Sequence, residues 1–522
     1  MVGVLEGNQL CYMKKNLNLL VTVLCAFIFT LLFYKNTLGL NLLFFELAVL
    51  SWLYLSKQFR IKSFNIGFIL SGVLLTSLMT VIHHSTLSYT INFFLFILFI
   101  GVIAAPEIRS LLRSFELTFY SFFSSFAMIK NEIVGSSFGS KHTKFKIWRK
   151  RIFLIPLLII FIFAGIYSWA NPKFGAVVQS IIDALEDFFE YLFSNFNFAL
   201  LFVFLLGFIV SLFVIYRSKK DRIVSDDLAS SDQLTRVRLK SNGNKSVLGL
   251  VNEYKSALFL FTSLNVLLLG LNVMDINYVW INFKWEGQYL KEFVHEGTYV
   301  LIIAILLSIV LVLYFFRKNL NFYLKNQWLK RLTILWIFQN LILTVSVAIR
   351  NWHYIQYYSL AYKRIAIVFF LILTIYGLYT VYSKVRLTKS NYYLLRKNFI
   401  ALTTVLVIST TVNWDRIIAR YNFSHAENSF VHLDFLASLS NSALPLLDKK
   451  RSDLEGIQTY QEISFFKSMG ISGSSKRYHQ LYMNAETFMN AIELRKKYFK
   501  KDWESKNLLE WNYAEWRAYK EL

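Results

Sequence analysis

Cysteine is almost missing from the 522-residue sequence: Cys11 and Cys25 are the only two. They cannot build a disulfide framework, and they do not have the spacing of a metal or redox motif. Proline is nearly as scarce, four in all, and only Pro156 falls inside an apolar run. Transporters with discontinuous helices place Gly or Pro interruptions at matched positions of two halves, and no such pattern is visible. There is no Gly-rich phosphate loop, no Gly-x-Ser-x-Gly elbow and no His-Glu-x-x-His. That argues against a nucleotide-driven pump and against the familiar intramembrane hydrolases. The eight histidines are scattered apart from His83-His84, so neither a metal nor a cofactor is expected. Acidic residues are in deficit, 32 against 56 Lys and Arg, which leaves a net charge of +24. The basic residues are dispersed over many short segments, not gathered in one patch, and nucleic acid is not an expected partner.

What the chain has instead is apolar length. Hydrophobic residues make up 56% and aromatics 18%. A bilayer core needs roughly 20 mostly apolar helical residues, because each backbone N–H and C=O must be satisfied within the segment. Eleven stretches are candidates: Leu17–Tyr34, Leu38–Leu55, Phe64–Ile82, Tyr89–Ala105, Ile152–Trp169, Phe198–Tyr216, Ala257–Val273, Tyr299–Phe316, Leu332–Ile349, Ala366–Tyr382 and Phe399–Asn413. The first lacks a small-x-small cleavage site after it and reads as an uncleaved helix. The eleventh is the weakest, since Arg396 and Lys397 must snorkel at its start.

Positive charge sets the expected topology. The N-terminus and segments 56–63, 106–151, 217–256, 317–331 and 383–398 carry 33 Lys and Arg. Segments 35–37, 83–88, 170–197, 274–298 and 350–365 carry only 7. The expected protein is therefore an all-α, polytopic integral membrane protein of about 11 transmembrane helices, with its N-terminus inside. Its expected site is the bacterial cytoplasmic (inner) membrane, where the basic inner loops meet anionic lipid headgroups. An odd span count places the tail, 414–522, outside; with 16 basic and 14 acidic residues it is nearly neutral.

Four regions follow: a first bundle of six spans (1–216), a cytoplasmic linker (217–256), a second bundle of five spans (257–413) and a helical extracytoplasmic tail (414–522). The linker contains Ser225-Asp226-Asp227 and the turn-rich Ser241-Asn242-Gly243-Asn244-Lys245, a composition expected of a flexible tether. Leu111, Leu112, Phe115, Phe119, Phe122 and Phe123 predict an amphipathic helix in the inner interface, and Phe174 to Leu192 an acidic one on the outer surface. The tail breaks at Gly470–Ser475, and 478–520 reads as a helix or helix pair.

Ionisable residues inside spans are functional suspects, and Glu46, in the second run, is the one that stands out. Asn265, Asn272, Gln339 and Asn340 suit interhelical hydrogen bonds. From the ninth run onwards several short patterns recur. Asn340 is followed by Arg350 and Tyr354, and then by Tyr358-Ser359-Leu360-Ala361-Tyr362-Lys363-Arg364. Asn413-Trp414-Asp415-Arg416-Ile417-Ile418-Ala419 precedes Asn422. Asp434 opens Asp434-Phe435-Leu436-Ala437-Ser438-Leu439-Ser440-Asn441-Ser442-Ala443-Leu444-Pro445. This C-terminal half resembles a bacterial membrane-protein family, domain-of-unknown-function family 4173, itself related to family 4153. Ser359 stands where the family's pattern has Gly, Ala361 where it has Thr, Trp414 where it has Pro and Asn441 where it has Asp. The resemblance implies a multi-span membrane protein with a helical C-terminal part and implies no activity.

Arg350, Tyr354, Tyr358 and Arg364 are expected in one outer loop, and Asn413, Asp415, Arg416, Asn422 and Asp434 at the start of the outer tail. Asp415 or Asp434 is expected to pair with Arg350 or Arg364 as a polar latch; a ligand site for an anionic group and a catalytic site are the alternatives. The function this favours is a non-enzymatic scaffold or sensory and regulatory component with an unknown protein partner. A secondary transporter using Glu46 and a membrane enzyme at the outer surface are the competing classes.

Overall fold

The computed structural model describes residues 2–136, 156, 160, 162–165, 167–193, 197–236, 245–283, 287–317, 319–465 and 482–522. Half of the fifth predicted span, residues 137–151 of the 106–151 connector, Ser241-Asn242-Gly243-Asn244 and the Gly470–Ser475 break lie outside the described residues. Those described are helical almost throughout, with one isolated strand-like bridge between Gln233 and Lys389. Among the described residues seven helices are long and apolar enough to cross a membrane, or eight if a pair bent by 66° counts as one span.

In chain order the helices are α1 (Val2–Phe33), α2 (Leu40–Leu55), α3 (Phe64–His83), α4 (Thr86–Ala104), α5 (Leu111–Ser136), α6 (Pro172–Phe193), α7 (Phe198–Ile215) and α8 (Asp221–Ala229). Then come α9 (Lys245–Asp275), α10 (Gly287–Phe315), α11 (Gln327–Tyr358), α12 (Tyr362–Leu387) and α13 (Asn391–Ser409). The tail holds α14 (Trp414–Ser424), α15 (Leu433–Ala437), α16 (Leu444–Leu447), α17 (Arg451–Tyr460), α18 (Ala485–Ser505) and α19 (Tyr513–Glu521).

Seven of the eleven predicted runs reappear as span-length helices, several extended at their ends. Leu17–Phe33 and Leu40–Leu55 are apolar but shorter. The eleventh run is the bent pair, α13 with α14. Its break follows from Asn413, whose Oδ1 caps α14 by accepting from the Arg416 N–H at 3.2 Å. A side chain that satisfies the orphan donors of a new helix starts that helix in a new direction.

The chain forms two compact units, residues 1–34 with 124–216, and 35–123 with 217–522, a division that differs from the sequential six-plus-five grouping. In the smaller unit α1 packs on α7. A Cβ on Gly207 would come within 2.7 Å of Phe29, so the missing side chain is what lets the two helices touch. The Phe27 and Phe204 rings meet at 5.0 Å. α6 is the predicted amphipathic helix, and Phe174, Ile181 and Ile182 on its apolar face are exposed.

In the larger unit, Phe261, Phe316, Leu329 and Val347 are among the residues forming a core between α9, α10, α11, α12 and α13. α5 covers the predicted amphipathic stretch and divides its faces. Its buried positions include Ser114, Thr118, Ser121 and Ser125, at spacings of small residues that let backbones approach, while Phe119 and Phe123 face outward. The close approach needs Gly101, where a Cβ would lie 2.2 Å from the Ser114 carbonyl.

The expected flexible linker is partly helical where it is described. Its described part contains α8 and the opening turns of α9, and α8 buries Ile223, Val224 and Asp227. The Asp227 carboxylate accepts from the Arg109 backbone N–H at 2.7 Å and from the Tyr392 hydroxyl at 2.9 Å. Arg396 pairs with Asp232, and the Ser390 N–H donates to the Asp232 carbonyl at 2.9 Å. Charge density suggested solvation; here Asp227 and Asp232 are taken up by partners at one end of the bundle, while Asp221 and Asp226 stay exposed.

The tail packs on the opposite end. The Thr37 N–H and hydroxyl donate to the Glu510 carboxylate at 3.0 and 2.9 Å, and the Leu40 N–H to the Trp511 carbonyl at 3.2 Å. Gly39 lies under this contact, where a Cβ would sit 2.5 Å from the Glu510 carbonyl oxygen. Gly39→Ala is expected to cost about 1–3 kcal/mol, the usual range for overpacking. A lowered unfolding midpoint in detergent, with faster proteolysis of the tail, checks this; an unchanged midpoint refutes the close packing.

Candidate functional site

The turn between α11 and α12 is only Ser359–Ala361. Arg350, Tyr354 and Tyr358, expected in a loop, are instead on the last turns of α11, and Arg364 is on the first turn of α12. The span runs longer than its apolar core because nothing between Ile349 and Tyr358 breaks a helix. The turn's peptide groups are satisfied by side chains. Asn422 on α14, 1% exposed, accepts from the Leu360 N–H at 2.7 Å and donates back to the Leu360 carbonyl at 3.1 Å. The Arg364 guanidinium donates to the Tyr358 carbonyl at 2.6 Å and to the Ser359 carbonyl, and it stacks 4.5 Å from the Tyr354 ring centre. The Phe430 N–H donates to the Tyr357 carbonyl at 2.8 Å.

Asp415, Asn413 and Arg416 form a second cluster in the tail. The Tyr362 hydroxyl and the Ser440 N–H both donate to Asp415, the latter at 3.1 Å. Asn413 donates to the Ser442 hydroxyl at 3.2 Å, while Arg416 donates to the Ser442 carbonyl at 3.1 Å and pairs with Glu521 at 2.9 Å. Edge-on ring contacts of Tyr362 with Phe435 and of Phe369 with Trp414, both at 5.7 Å, fasten the tail to α12. Ile365 of α12 belongs to the tail's own hydrophobic core.

The latch therefore exists with partners other than those expected. Asp415 meets a tyrosine and a backbone N–H. Arg350, 3% exposed, forms its salt bridge at 2.5 Å with Asp275, 5% exposed, and the Ser346 hydroxyl donates to the same carboxylate at 2.5 Å. Asp434 is exposed on α15 and joins neither cluster; its charge, after burial, helps raise the Tyr482 phenol. Asn340 lies ten residues before Arg350, about 15 Å along the axis, and donates to the Trp336 carbonyl of its own helix. Glu46, 2% exposed, accepts from Asn92 at 3.2 Å, and Asn92 also donates to the Val73 carbonyl and to Thr76. It is tied into a knot of α2, α3 and α4.

Asp275, the buried partner of Arg350, is the residue of this cluster that the sequence does not single out. It sits two residues beyond the apolar run that ends at Val273, and α9 continues through it into a wider π-type turn, Ile276–Ile281. A signal was present: Asn265, Asn272 and Asp275 share one helical face. Asn265 donates to the Leu332 carbonyl at 3.1 Å and accepts from Gln339 at 2.7 Å, and Asn272 donates to the Gln339 carbonyl at 3.2 Å. The constant offset of 67 residues between 265 and 332 and between 272 and 339 means that α9 and α11 run parallel, joined by a polar ladder with the ion pair at its tail end.

At the same end, His84 caps α3 in a left-handed conformation, φ 47°. Burial lowers its imidazole below the ordinary value against the pull of the Glu515 carboxylate. Glu515 is bridged by Lys506 and Asn512, both at 2.7 Å. Burial opposes both charges, yet the pairing holds Glu515 below and Lys506 above its ordinary value. Among the described residues no group of three or more His, Cys, Asp or Glu is placed to hold a metal ion.

The arrangement so far defines a class: a helical protein with several span-length apolar helices and a polar-latched helical tail. Residues 69–450 match the family model described as Domain of unknown function (DUF4153), so the chain belongs to that family. This is the relative of the family named in the sequence reading, and the match begins well before the ninth run. No curated protein and no solved structure matches the chain.

Two predictions follow from this geometry. Ser359 has φ 66° and ψ −176°, a conformation natural to glycine, and its hydroxyl bonds Ser429 at 2.7 Å. Ser359→Ala and Ser359→Gly both delete that bond, but only glycine relieves the strain. The glycine variant is expected to be more stable than the alanine variant by about 1–3 kcal/mol, and equal unfolding midpoints would refute this. The Lys506–Glu515 pair gives a pH signature. A depressed carboxylate contributes stability above its unfolded pKa, about 4.3, that disappears as pH falls through the folded value. Wild type is expected to lose more stability between about pH 5 and pH 3 than Glu515→Gln, as read by thermal unfolding at both values.

Proposed function

We propose that the protein is a non-enzymatic multi-pass membrane scaffold or regulatory component. In this reading its C-terminal helices form a platform docked on the outer ends of the spans and contact a protein partner there. The observation that carries it is the engagement of the latch residues. Asn422, Asp415, Asn413, Arg416 and Arg364 bond one another's neighbours and backbone groups, as a docking joint requires. A base–nucleophile pair is not among these contacts. Glu46, which the transport reading needs beside a path, is knotted to Asn92.

The same proposal includes about eleven spans, a cytoplasmic N-terminus, an outer tail and the bacterial inner membrane. Basic segments 56–63 and 383–398 meet the linker segment at the end away from the tail: Arg217 donates to Gln58 and Ser390 to the Asp232 carbonyl. That sorting supports a positive-inside orientation, with these segments against anionic headgroups.

Reporters fused after Leu522 test the orientation; activity of the extracytoplasmic reporter is expected, and activity of the cytoplasmic one overturns the platform. Asn422→Ala, which strips both bonds from Leu360, is expected to cost about 1–3 kcal/mol and to loosen the tail in limited proteolysis. Solute flux in proteoliposomes that Glu46→Gln abolishes would replace this reading with transport.

A further inference from the structure

A cavity of about 110 Å³ opens between α10, α11 and α12, lined by Tyr299, Asn351, Lys363, Arg364 and Ile367 among others. Two adjacent cations form its wall. Arg364 is half-buried, donates to the carbonyls of Tyr358 and Ser359 and lies over the Tyr354 ring. Among the described residues neither Lys363 nor Arg364 forms a salt bridge. Lys363 is exposed and Arg364 partly buried, and two neighbouring cations without a carboxylate partner make this wall positive, which favours an anion. The cavity also lies at the start of α12, whose N-cap is Ala361, a residue with no side-chain acceptor. The positive end of the α12 dipole adds to the field of the two cations there.

Size and position narrow the ligand. Drug-sized sites occupy roughly 300–1,000 Å³; this one has room for a single tetrahedral oxyanion and little more. Tyr299, near the start of the apolar span Gly297–Phe315 of α10, and Tyr362 and Trp352, near the ends of α12 and α11, are exposed aromatics and mark the depth at which headgroups lie. Ile367 sits one turn further along α12 and gives the cavity an apolar floor.

We infer that this cavity binds a phosphate group, supplied either by the headgroup of an anionic lipid or by a soluble phosphate, independently of what the tail platform contacts. Lys363 and Arg364 hold the oxyanion, and the polar groups of Tyr299 and Asn351 line the remaining wall.

The test uses the full chain in neutral detergent, titrated calorimetrically with inorganic phosphate and, separately, with short-chain phosphatidylglycerol below its micelle concentration. Saturable one-to-one binding is expected. It should weaken about tenfold or more in Lys363→Gln, since a charge-assisted contact is worth about 1.5–3 kcal/mol, and also in Ile367→Trp, which fills the floor without changing charge. Neither residue makes one of the turn's hydrogen bonds, and unfolding midpoints near wild type verify that both variants fold. Lipid binding alone assigns the headgroup source and phosphate binding alone the soluble one; competition between the two assigns both to one cavity. Absence of saturable binding by either, or binding unchanged in either variant, overturns the inference.

Discussion

The three-residue turn Ser359–Ala361 is where the larger unit is held together. A turn this short cannot satisfy its own peptide groups, and unpaired N–H and C=O groups are costly when shielded from water. Here the partners come from two sides. Asn422 reaches from the tail and takes both polar groups of Leu360, while Arg364 reaches back from α12 to the two preceding carbonyls. The turn therefore exists in this form only with the tail in place, and the tail finds its seat only because the turn offers those groups. Asp415, the Tyr362–Phe435 contact and Ile365 then add packing to an alignment already defined.

A second constraint runs through the bundle. Between α9 and α11, amide side chains bond across at a constant offset, and Asp275 with Arg350 completes the row. A buried ion pair contributes little net stability against its desolvation, but losing one partner leaves a charge stranded. Its value is register: slipping one helix along the other would separate the pair and misalign each amide. The nearby Gly297 leaves room for this arrangement, since a Cβ there would lie 3.3 Å from the Arg350 guanidinium.

Much of the fold was legible in hydropathy because span-length helices are written in contiguous apolar residues. Phe64–His83, Thr86–Ala104 and Phe198–Ile215 came within a few residues of expectation. Helix ends were not legible: Arg350 and Asp275 are charged, so an apolar window stops before them although the backbone does not. α8 was missed because its charges dominate composition, while the three residues that anchor it, Ile223, Val224 and Asp227, form a pattern visible only against neighbours. The candidate site was half legible. The residues of the latch were named, but pairing depends on which groups a turn leaves unsatisfied, and Asp415 met a tyrosine where an arginine was expected. Ser359 is the instructive case. A serine stands where the resembled pattern has glycine, and the backbone there keeps the glycine conformation regardless.

The contact of Glu510 with Thr37 joins residues 473 apart in the chain. Contacts of such separation form late, after the intervening chain has been ordered. During synthesis the turn before α2 is made early and waits, its Thr37 and Leu40 N–H groups unclaimed, until residue 510 has been synthesised. The bundle is thus inserted long before it is sealed. A chain shortened before residue 507 would lack the Glu510 and Trp511 acceptors altogether, leaving a membrane protein that is threaded but unfastened at one end, a ready substrate for quality-control proteolysis.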